Sequence, residues 1–426
     1  MFKDIFKDKH TKDKCHILKM LQTGAGQGAR KHLSFHTPGH KQRGADITEL
    51  SYSDNLLNPV GVIAKAQEDI ARILGAEKSF ILTDGSTSGI FAMLYAAKKA
   101  GVNGVTVIAN AHISVYNACS VLGLTPFFAE DIEGAKAHST TQAVLITSPT
   151  YYGKIENLAA WKAYCEKKNM YLLIDGAHGG HLHYQKNIYA GAYADMWVDG
   201  VHKSLPAYTQ GAVVSARGEQ LAFWLEEGVK TFRTSSPSYP IMASVEYAVK
   251  YPKNERLESE VRAYANEQSR VEVQEDYTKL CAVFGKTAFA ADSYLQSKGV
   301  YSEFCDGERV MFYLSPATTE RQFKALKRAL KTAFARYPYQ ATESAQPSPA
   351  PVLLPENAKT EWRDLDACEG KICAGACGLF PPCTILLKVG ERIQRRHIEV
   401  LKSANHTHGV WQGKLLVYQS EKEEEQ

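Results

Sequence analysis

No stretch of this 426-residue chain approaches the roughly 18–20 consecutive apolar residues that a membrane-spanning helix requires. The opening run, Met1-Phe2-Lys3-Asp4-Ile5-Phe6-Lys7-Asp8, lacks an apolar core of signal-peptide length, so no export is expected. Neither sign of charge dominates: 50 Lys and Arg stand against 46 Asp and Glu, a formal net charge of +4 with histidines neutral. The basic residues are scattered among acids, which argues against a nucleic-acid footprint. Paired CxxC spacing is missing, and no internal repeat is evident. Nine cysteines, an odd number without an export signal, read as reduced thiols of a cytoplasmic protein. The hydrophobic content of 44% is ordinary for a globular protein, and the length allows a large core and more than one domain.

From about residue 60 to 215, short apolar runs alternate with amphipathic segments. Strands are expected at 79–83, 105–109, 143–147, 171–175, 196–199 and 212–215, and helices at 90–100, 114–122 and 158–168. That alternation predicts an α/β fold, a mostly parallel central sheet with helices on both faces. Five segments are expected: an N-terminal arm over 1–52, a large domain over 53–277, a small α+β domain over 278–339, a linker over 340–357, and a C-terminal subdomain over 358–426. The arm carries the apolar face Ile17-Leu18-Lys19-Met20-Leu21. A long charged helical stretch is expected from about 241 to 277. The linker is rich in Pro, Ser, Ala and Thr, and the tail Glu421-Lys422-Glu423-Glu424-Glu425-Gln426 reads as frayed.

Three features then stand out together. The strand Tyr171-Leu172-Leu173-Ile174-Asp175 ends on a carboxylate, Lys203 follows a later strand in Asp199-Gly200-Val201-His202-Lys203, and Asp84-Gly85-Ser86-Thr87-Ser88-Gly89 links a strand to a helix. A helix N-terminus supplemented by hydroxyls makes an anion site, although the same residues also suit an ordinary N-cap. A buried Asp175 needs a partner, either a cationic ring N–H or a structural salt bridge. Carboxyl ends of parallel strands are where open α/β sheets bind ligands, and a lysine desolvated there can form an imine. Together the three are the parts a pyridoxal 5′-phosphate (PLP) site needs: a Schiff-base lysine, an acid for the pyridinium nitrogen and a phosphate grip. His112, in Ala109-Asn110-Ala111-His112, follows the next strand and suits either stacking on a cofactor ring or capping a turn.

Other patterns carry less. Gly24-Ala25-Gly26-Gln27-Gly28-Ala29 imitates a dinucleotide fingerprint, but a helix precedes it rather than a strand. His178, His181 and His183 lie close enough to suggest a metal, yet no carboxylate or cysteine completes a known spacing, and a flexible glycine-rich turn explains them better. Cys368, Cys373, Cys377 and Cys383 are dense but do not make a zinc ribbon. No metal site is expected.

The motifs resemble those of the PLP-dependent Orn/Lys/Arg decarboxylases, of aminotransferase fold type I, and most of all the compact bacterial members without an N-terminal wing domain. The likeness begins at Ser34-Phe35-His36-Thr37-Pro38-Gly39-His40-Lys41 and runs through Thr48-Glu49-Leu50, Asp54-Asn55-Leu56, Ala66-Gln67 and the 84–89 loop. It continues through Ser148-Pro149-Thr150-Tyr151-Tyr152-Gly153, Asp175-Gly176-Ala177-His178-Gly179-Gly180-His181, His202-Lys203-Ser204-Leu205-Pro206-Ala207 and Thr234-Ser235-Ser236-Pro237-Ser238-Tyr239. The resemblance implies that Lys203 carries the cofactor and that His202 reaches its phosphate. By the same likeness Asp175 pairs with the ring nitrogen, Ala177 and His112 sandwich the ring, and Ser86, Thr87 and Ser88 hold the phosphate. His178 joins the cofactor-binding set, and Ser235 reaches the phosphate of the other subunit in a homodimer or larger assembly with interfacial sites.

Four departures mark this chain. Gly176 stands where the family usually has Glu, and Gly200 where it usually has Ser. Gly375 replaces a family Glu, and Pro382-Cys383-Thr384-Ile385 replaces Pro-Gly-Ile-Pro. The resemblance implies α-decarboxylation of a basic L-amino acid (lysine, arginine or ornithine) to a di- or polyamine. The departures keep two alternatives open: an aminotransferase or lyase acting on a non-basic amino acid, and a catalytically degenerate PLP-binding paralogue.

Overall fold

The computed structural model describes residues 6–27, 35–41, 44–108, 111–136, 138, 140–341, 359–379, 384–387, 389–403 and 406–419. The expected linker therefore lies almost wholly outside the described residues, as do Ser34, Cys383 and the acidic tail. The chain divides into two compact units. The first comprises Met1–Ala109, Ser114–Leu280 and Tyr313–Lys324; the second comprises Asn110–Ile113, Cys281–Phe312 and Ala325–Gln426.

The first unit is built on a seven-stranded sheet. Its strands are β1 (Lys78–Leu82), β2 (Gly104–Ile108), β3 (Thr125–Ala129), β4 (Ala143–Thr147), β5 (Tyr171–Gly176), β6 (Met196–Asp199) and β7 (Ala212–Ala216). They lie in the order β1-β7-β6-β5-β4-β2-β3. Neighbours from β6 to β3 run parallel, while β7 runs antiparallel to both β6 and β1. Strands β4 to β7 are apolar and buried almost throughout, as expected of strands covered on both faces. The mostly parallel α/β sheet read from the sequence is thus present.

Helices complete the packing. The helix Val62–Leu74 presents Ile63, Ala66, Ile70 and Leu74 at helical spacing to the core and ends on Gly75 in the left-handed region. The N-terminal helix His16–Gln27 buries Ile17, Leu18, Met20 and Leu21. Glu246, fully buried on the helix Tyr239–Val249, accepts hydrogen bonds from His16 N–H (2.6 Å) and Ile17 N–H (2.9 Å), satisfying donors at the start of that helix. Lys250 neutralises it at 2.9 Å and also reaches Asp69 at 2.7 Å, with His16 3.1 Å from the same Asp69 oxygen. An ammonium thus occupies the centre of this imidazole–carboxylate cluster.

One expectation needs correction. The stretch 241–277 is not one helix: Tyr239–Val249 stops before Pro252, and Glu255–Glu267 starts afresh from an Asn254 cap that accepts from Leu257 N–H. Proline cannot continue a helix, so the charged pattern splits there. The fingerprint-like Gly24–Gln27 run continues the helix His16–Gln27, and Gly28 and Ala29 lie outside the described residues.

In the second unit, Thr360–Asp364, Lys414–Tyr418 and Val410–Trp411 form one small antiparallel sheet, and Cys377–Leu379, Thr384–Leu387 and Thr407–His408 form another. Cys368, Cys373 and Cys377 are fully buried in its core with Leu387, Ile398 and Leu415. Cys377 is held well above the ordinary thiol range by its hydrogen bond to Cys373 and by burial. These cysteines pack as small apolar groups.

Candidate active site

Asp175 is the penultimate residue of β5, the middle strand of the sheet, in register with Thr147 on β4 and Val198 on β6. It is 2% exposed, and its Oδ1 accepts from Ala177 N–H at 3.1 Å. The neighbouring Thr147 hydroxyl is buried without a partner among the described residues. One strand over, β6 ends on Asp199, also buried. Its Oδ2 accepts from Tyr189 O–H at 2.6 Å and Trp197 Nε1–H at 3.2 Å, while Oδ1 has no partner among the described residues. Burial pushes Asp199 up to about 7, opposed by those two hydrogen bonds and reinforced by the charge of Asp175.

The helix Gly85–Lys99 begins directly after β1, so Ser86, Thr87 and Ser88 lie in its first turn rather than in a free loop. Gly85, at φ +86°, makes the turn from strand to helix, and its N–H is bound by Gln210 O at 2.9 Å. Thr87 is exposed. Ser88 is drawn back into the helix, its hydroxyl engaged with Asp84 Oδ1 (2.9 Å) and Gly85 O (3.0 Å). The Ser86 hydroxyl is buried and has no partner among the described residues. An orphaned buried hydroxyl on a helix N-terminus is the donor an anionic oxygen would fill, so the residues present fit a phosphate. Asp84 also accepts from Thr234 N–H at 3.0 Å, which sets the exposed Ser235 one residue further along from that tether.

Lys203 lies on the short helix Val201–Ser204 that follows β6. Its Nζ is 3.1 Å from His178 Nε2, two residues beyond the end of β5. His202 faces the other way, with N and Nδ1 both bonded to Gly211 O at 3.0 and 2.9 Å. Ala177 is buried between Asp175 and His178. His112 is half-buried between β2 and the helix Ile113–Leu122, in the 110–113 stretch of the second unit.

The histidine run is not a pliant turn. Gly180–Tyr184 is a 3-10 helix, and each imidazole has its own partner. His183 bonds Gly180 O at 2.7 Å and is lowered to about 4 by burial. His181 bonds Asp276 at 2.9 Å, and His178 bonds Lys203 and, through Nδ1, the Tyr313 hydroxyl at 3.1 Å.

Sequence reasoning missed what stands behind His178. Tyr313 also donates to Tyr151 O at 3.1 Å, which places the Ser148–Gly153 motif against it. The Lys279 ammonium, fully buried, sits 4.3 Å from the Tyr313 ring centre and pairs with Asp276 at 3.1 Å. Asp276 is held far below the carboxylate range; His181 and Lys279 overcome the effect of burial. A lysine directly preceding the apolar run Leu280-Cys281-Ala282-Val283 was the available signal.

Two departures acquire a physical reason. A Cβ on Gly200 would meet Ala177 O at 2.3 Å and Ser86 Oγ at 2.9 Å, so Ser86 stands against the place where a serine side chain would begin. A Cβ on Gly176 would meet Val198 O at 2.9 Å and Asp199 Oδ1 at 3.2 Å, so the Asp199 carboxyl occupies the space a glutamate would enter.

A lysine beside a strand end, a buried strand-end acid and an orphaned hydroxyl at a helix N-terminus, arranged around one α/β sheet with a reversed β7, suit a PLP enzyme of fold type I. Residues 26–133 and 129–283 match the family described as "Orn/Lys/Arg decarboxylase, major domain", and the chain belongs to that PLP-dependent family of amino-acid decarboxylases. It is 26% identical to the protein YaaO of Bacillus subtilis, covering 92% of this chain and 97% of YaaO. It is 24% identical to an arginine decarboxylase of the same organism, over 89% of this chain and 92% of that one. The fold resembles the constitutive lysine decarboxylase of E. coli with a TM-score of 0.71 at 18% identity, covering 95% of this chain and 82% of that chain. Among the described residues no helix is long and apolar enough to cross a membrane.

Proposed function

We propose that this chain removes the α-carboxylate of a basic L-amino acid (lysine, arginine or ornithine), yielding the corresponding amine, and that it works as a homodimer. The observation that carries the reading is Lys203 Nζ, held 3.1 Å from the imidazole of His178 beside the strand end that bears Asp175. In this reading Ser86, Thr87 and His202 hold the cofactor phosphate, with Ser235 reaching the partner's, and Ala177 and His112 flank its ring. Ser88 contributes the shape of the turn. Bound there, the cofactor supplies an electron sink for the bond that loses CO₂.

The chain's own residues do the rest. Asp175, kept from water, is the acid that would pair with a ring nitrogen and keep it protonated. His178 Nε2 can take a proton from Lys203 or return it. Buried Ala177 and the buried hydroxyl of half-buried Thr147 help keep bulk water away from Asp175. Gly375 motivates the alternative of a non-basic substrate, since no side chain stands there to meet a second cationic group.

The test has two arms. Borohydride treatment of the purified protein with its cofactor should add the cofactor mass to the peptide containing Lys203, and Lys203→Ala should abolish both that adduct and the visible absorbance band. CO₂ release from carboxyl-labelled lysine, arginine and ornithine should follow for one of the three. Keto-acid formation from a non-basic amino acid without CO₂ would favour the alternative. An adduct with no turnover of any amino acid would overturn the enzymatic reading.

A further inference from the structure

Tyr313 has one hydroxyl proton, and two of the described contacts converge on its oxygen. It lies 3.1 Å from Tyr151 O and 3.1 Å from His178 Nδ1. A backbone carbonyl can only accept, so the first contact claims the phenolic proton. The second is then satisfied only when Nδ1 carries the imidazole proton and donates to the phenol oxygen. That leaves the lone pair on Nε2, directed at Lys203 Nζ 3.1 Å away. With the opposite tautomer, Nε2–H would face an ammonium across the same gap, donor against donor.

The surroundings hold Tyr313 in this role. Lys279 Nζ sits 4.3 Å from its ring centre and is itself fixed by Asp276 at 3.1 Å and Thr278 Oγ1 at 2.8 Å. The tyrosine rings of residues 151 and 313 meet the His178 ring edge-on, with centres 5.1 and 5.8 Å away. Among the described contacts, the titratable groups facing the imidazole include Lys203, Tyr151 and Tyr313, with Lys279, Asp276 and His181 behind them.

We propose that Tyr313 is a positioning residue that sets His178 in the Nδ1–H form, so that Nε2 is the base that takes a proton from Lys203 and later returns it. The proposal rests on Lys203 being the cofactor-bearing amine. The exchange balances. One proton passes from the Lys203 ammonium to Nε2, leaving a neutral amine with its lone pair free and an imidazolium that donates to Tyr313 through Nδ1 and to Lys203 through Nε2. Reversal restores both groups.

The experiment uses ¹⁵N-histidine NMR on the cofactor-free protein, comparing wild type with Tyr313→Phe, which keeps the ring under Lys279. The wild type should show His178 protonated at Nδ1, and the variant should shift towards Nε2–H. In parallel, capture of PLP by the cofactor-free protein at neutral pH should slow roughly tenfold, if the productive tautomer falls to about a tenth of the population. The pH at which capture becomes half-maximal should rise. An Nε2–H tautomer in the wild type overturns the proposal without recourse to the variant, as does an unchanged tautomer and capture rate in Tyr313→Phe. Failure of the borohydride adduct on Lys203 would instead sink the assignment of the amine and leave the tautomer result standing.

Discussion

Asp199→Asn isolates the second strand-end carboxyl. In the folded protein Asp199 is raised from 3.8 to about 7, with burial as the main cause and Asp175 adding to it. Over the interval between those values the folded state holds a proton that the unfolded chain has released, so stability falls as pH rises. The slope is about 1.4 kcal/mol per pH unit while both conditions hold. Integrated from pH 5 to pH 8, this one group should cost the wild type about 2.5 kcal/mol. Below the unfolded value the contribution is complete, and above about 7 it has vanished. Asparagine keeps an oxygen to accept from Tyr189 and Trp197 but cannot ionise. Urea unfolding of the cofactor-free protein at both pH values, for wild type and variant, reads the difference directly. Wild type should lose about 2.5 kcal/mol more than Asp199→Asn across the interval. Equal losses would mean that Asp199 ionises in the fold as freely as in the unfolded chain, and the reasoning from its burial would fail.

Two further outcomes follow from the described contacts. Ser86→Ala removes the orphaned hydroxyl at the helix start. A bond to a charged group contributes about 1.5–3 kcal/mol, so cofactor affinity measured by fluorescence titration should weaken by roughly 10–100-fold with little change in thermal stability; unchanged affinity would place the phosphate elsewhere. Lys250→Met leaves Glu246 buried beside Asp69 without its cation and should destabilise the first unit by about 3–5 kcal/mol in urea unfolding. Glu246→Gln, which retains an acceptor for the His16 and Ile17 N–H groups, should restore part of that loss in the double variant.

Much of the sheet was legible because its strands are short apolar runs with ordinary connections. The strands 143–147 and 196–199 match β4 and β6 residue for residue. By contrast β3 was not expected. It is an edge strand carrying Pro126, and two of its five residues are exposed, so no strong period marks it. The turn at Pro252 was overlooked because the charge pattern continues through it on either side. At the site, Asp175 and Lys203 could be singled out because each follows the carboxyl end of a strand close in sequence to the other. Tyr313 and Lys279 lie far downstream, and only folding brings them to His178. Asp199 was in view, but nothing in the sequence tells that the space beside Gly176 is filled from the next strand.

The reversed direction of β7 bears on how the reactive amine is carried. Between two parallel strands a crossover of a dozen or more residues, usually with a full helix, must return the chain to the same edge. Here β6 ends at Asp199 and β7 starts at Ala212 antiparallel beside it, so the intervening segment holds only the one-turn helix Val201–Ser204 and is anchored at both ends to adjoining ladders. Gly211 O ties down both the backbone and ring of His202, and Gln210 O holds the start of the Gly85 helix. Lys203 is thus mounted on a stiff bracket whose only long lever is its own four-carbon stem. Under the proposed function, the reach of this amine comes from rotation about those side-chain bonds, with the main chain serving as its mount.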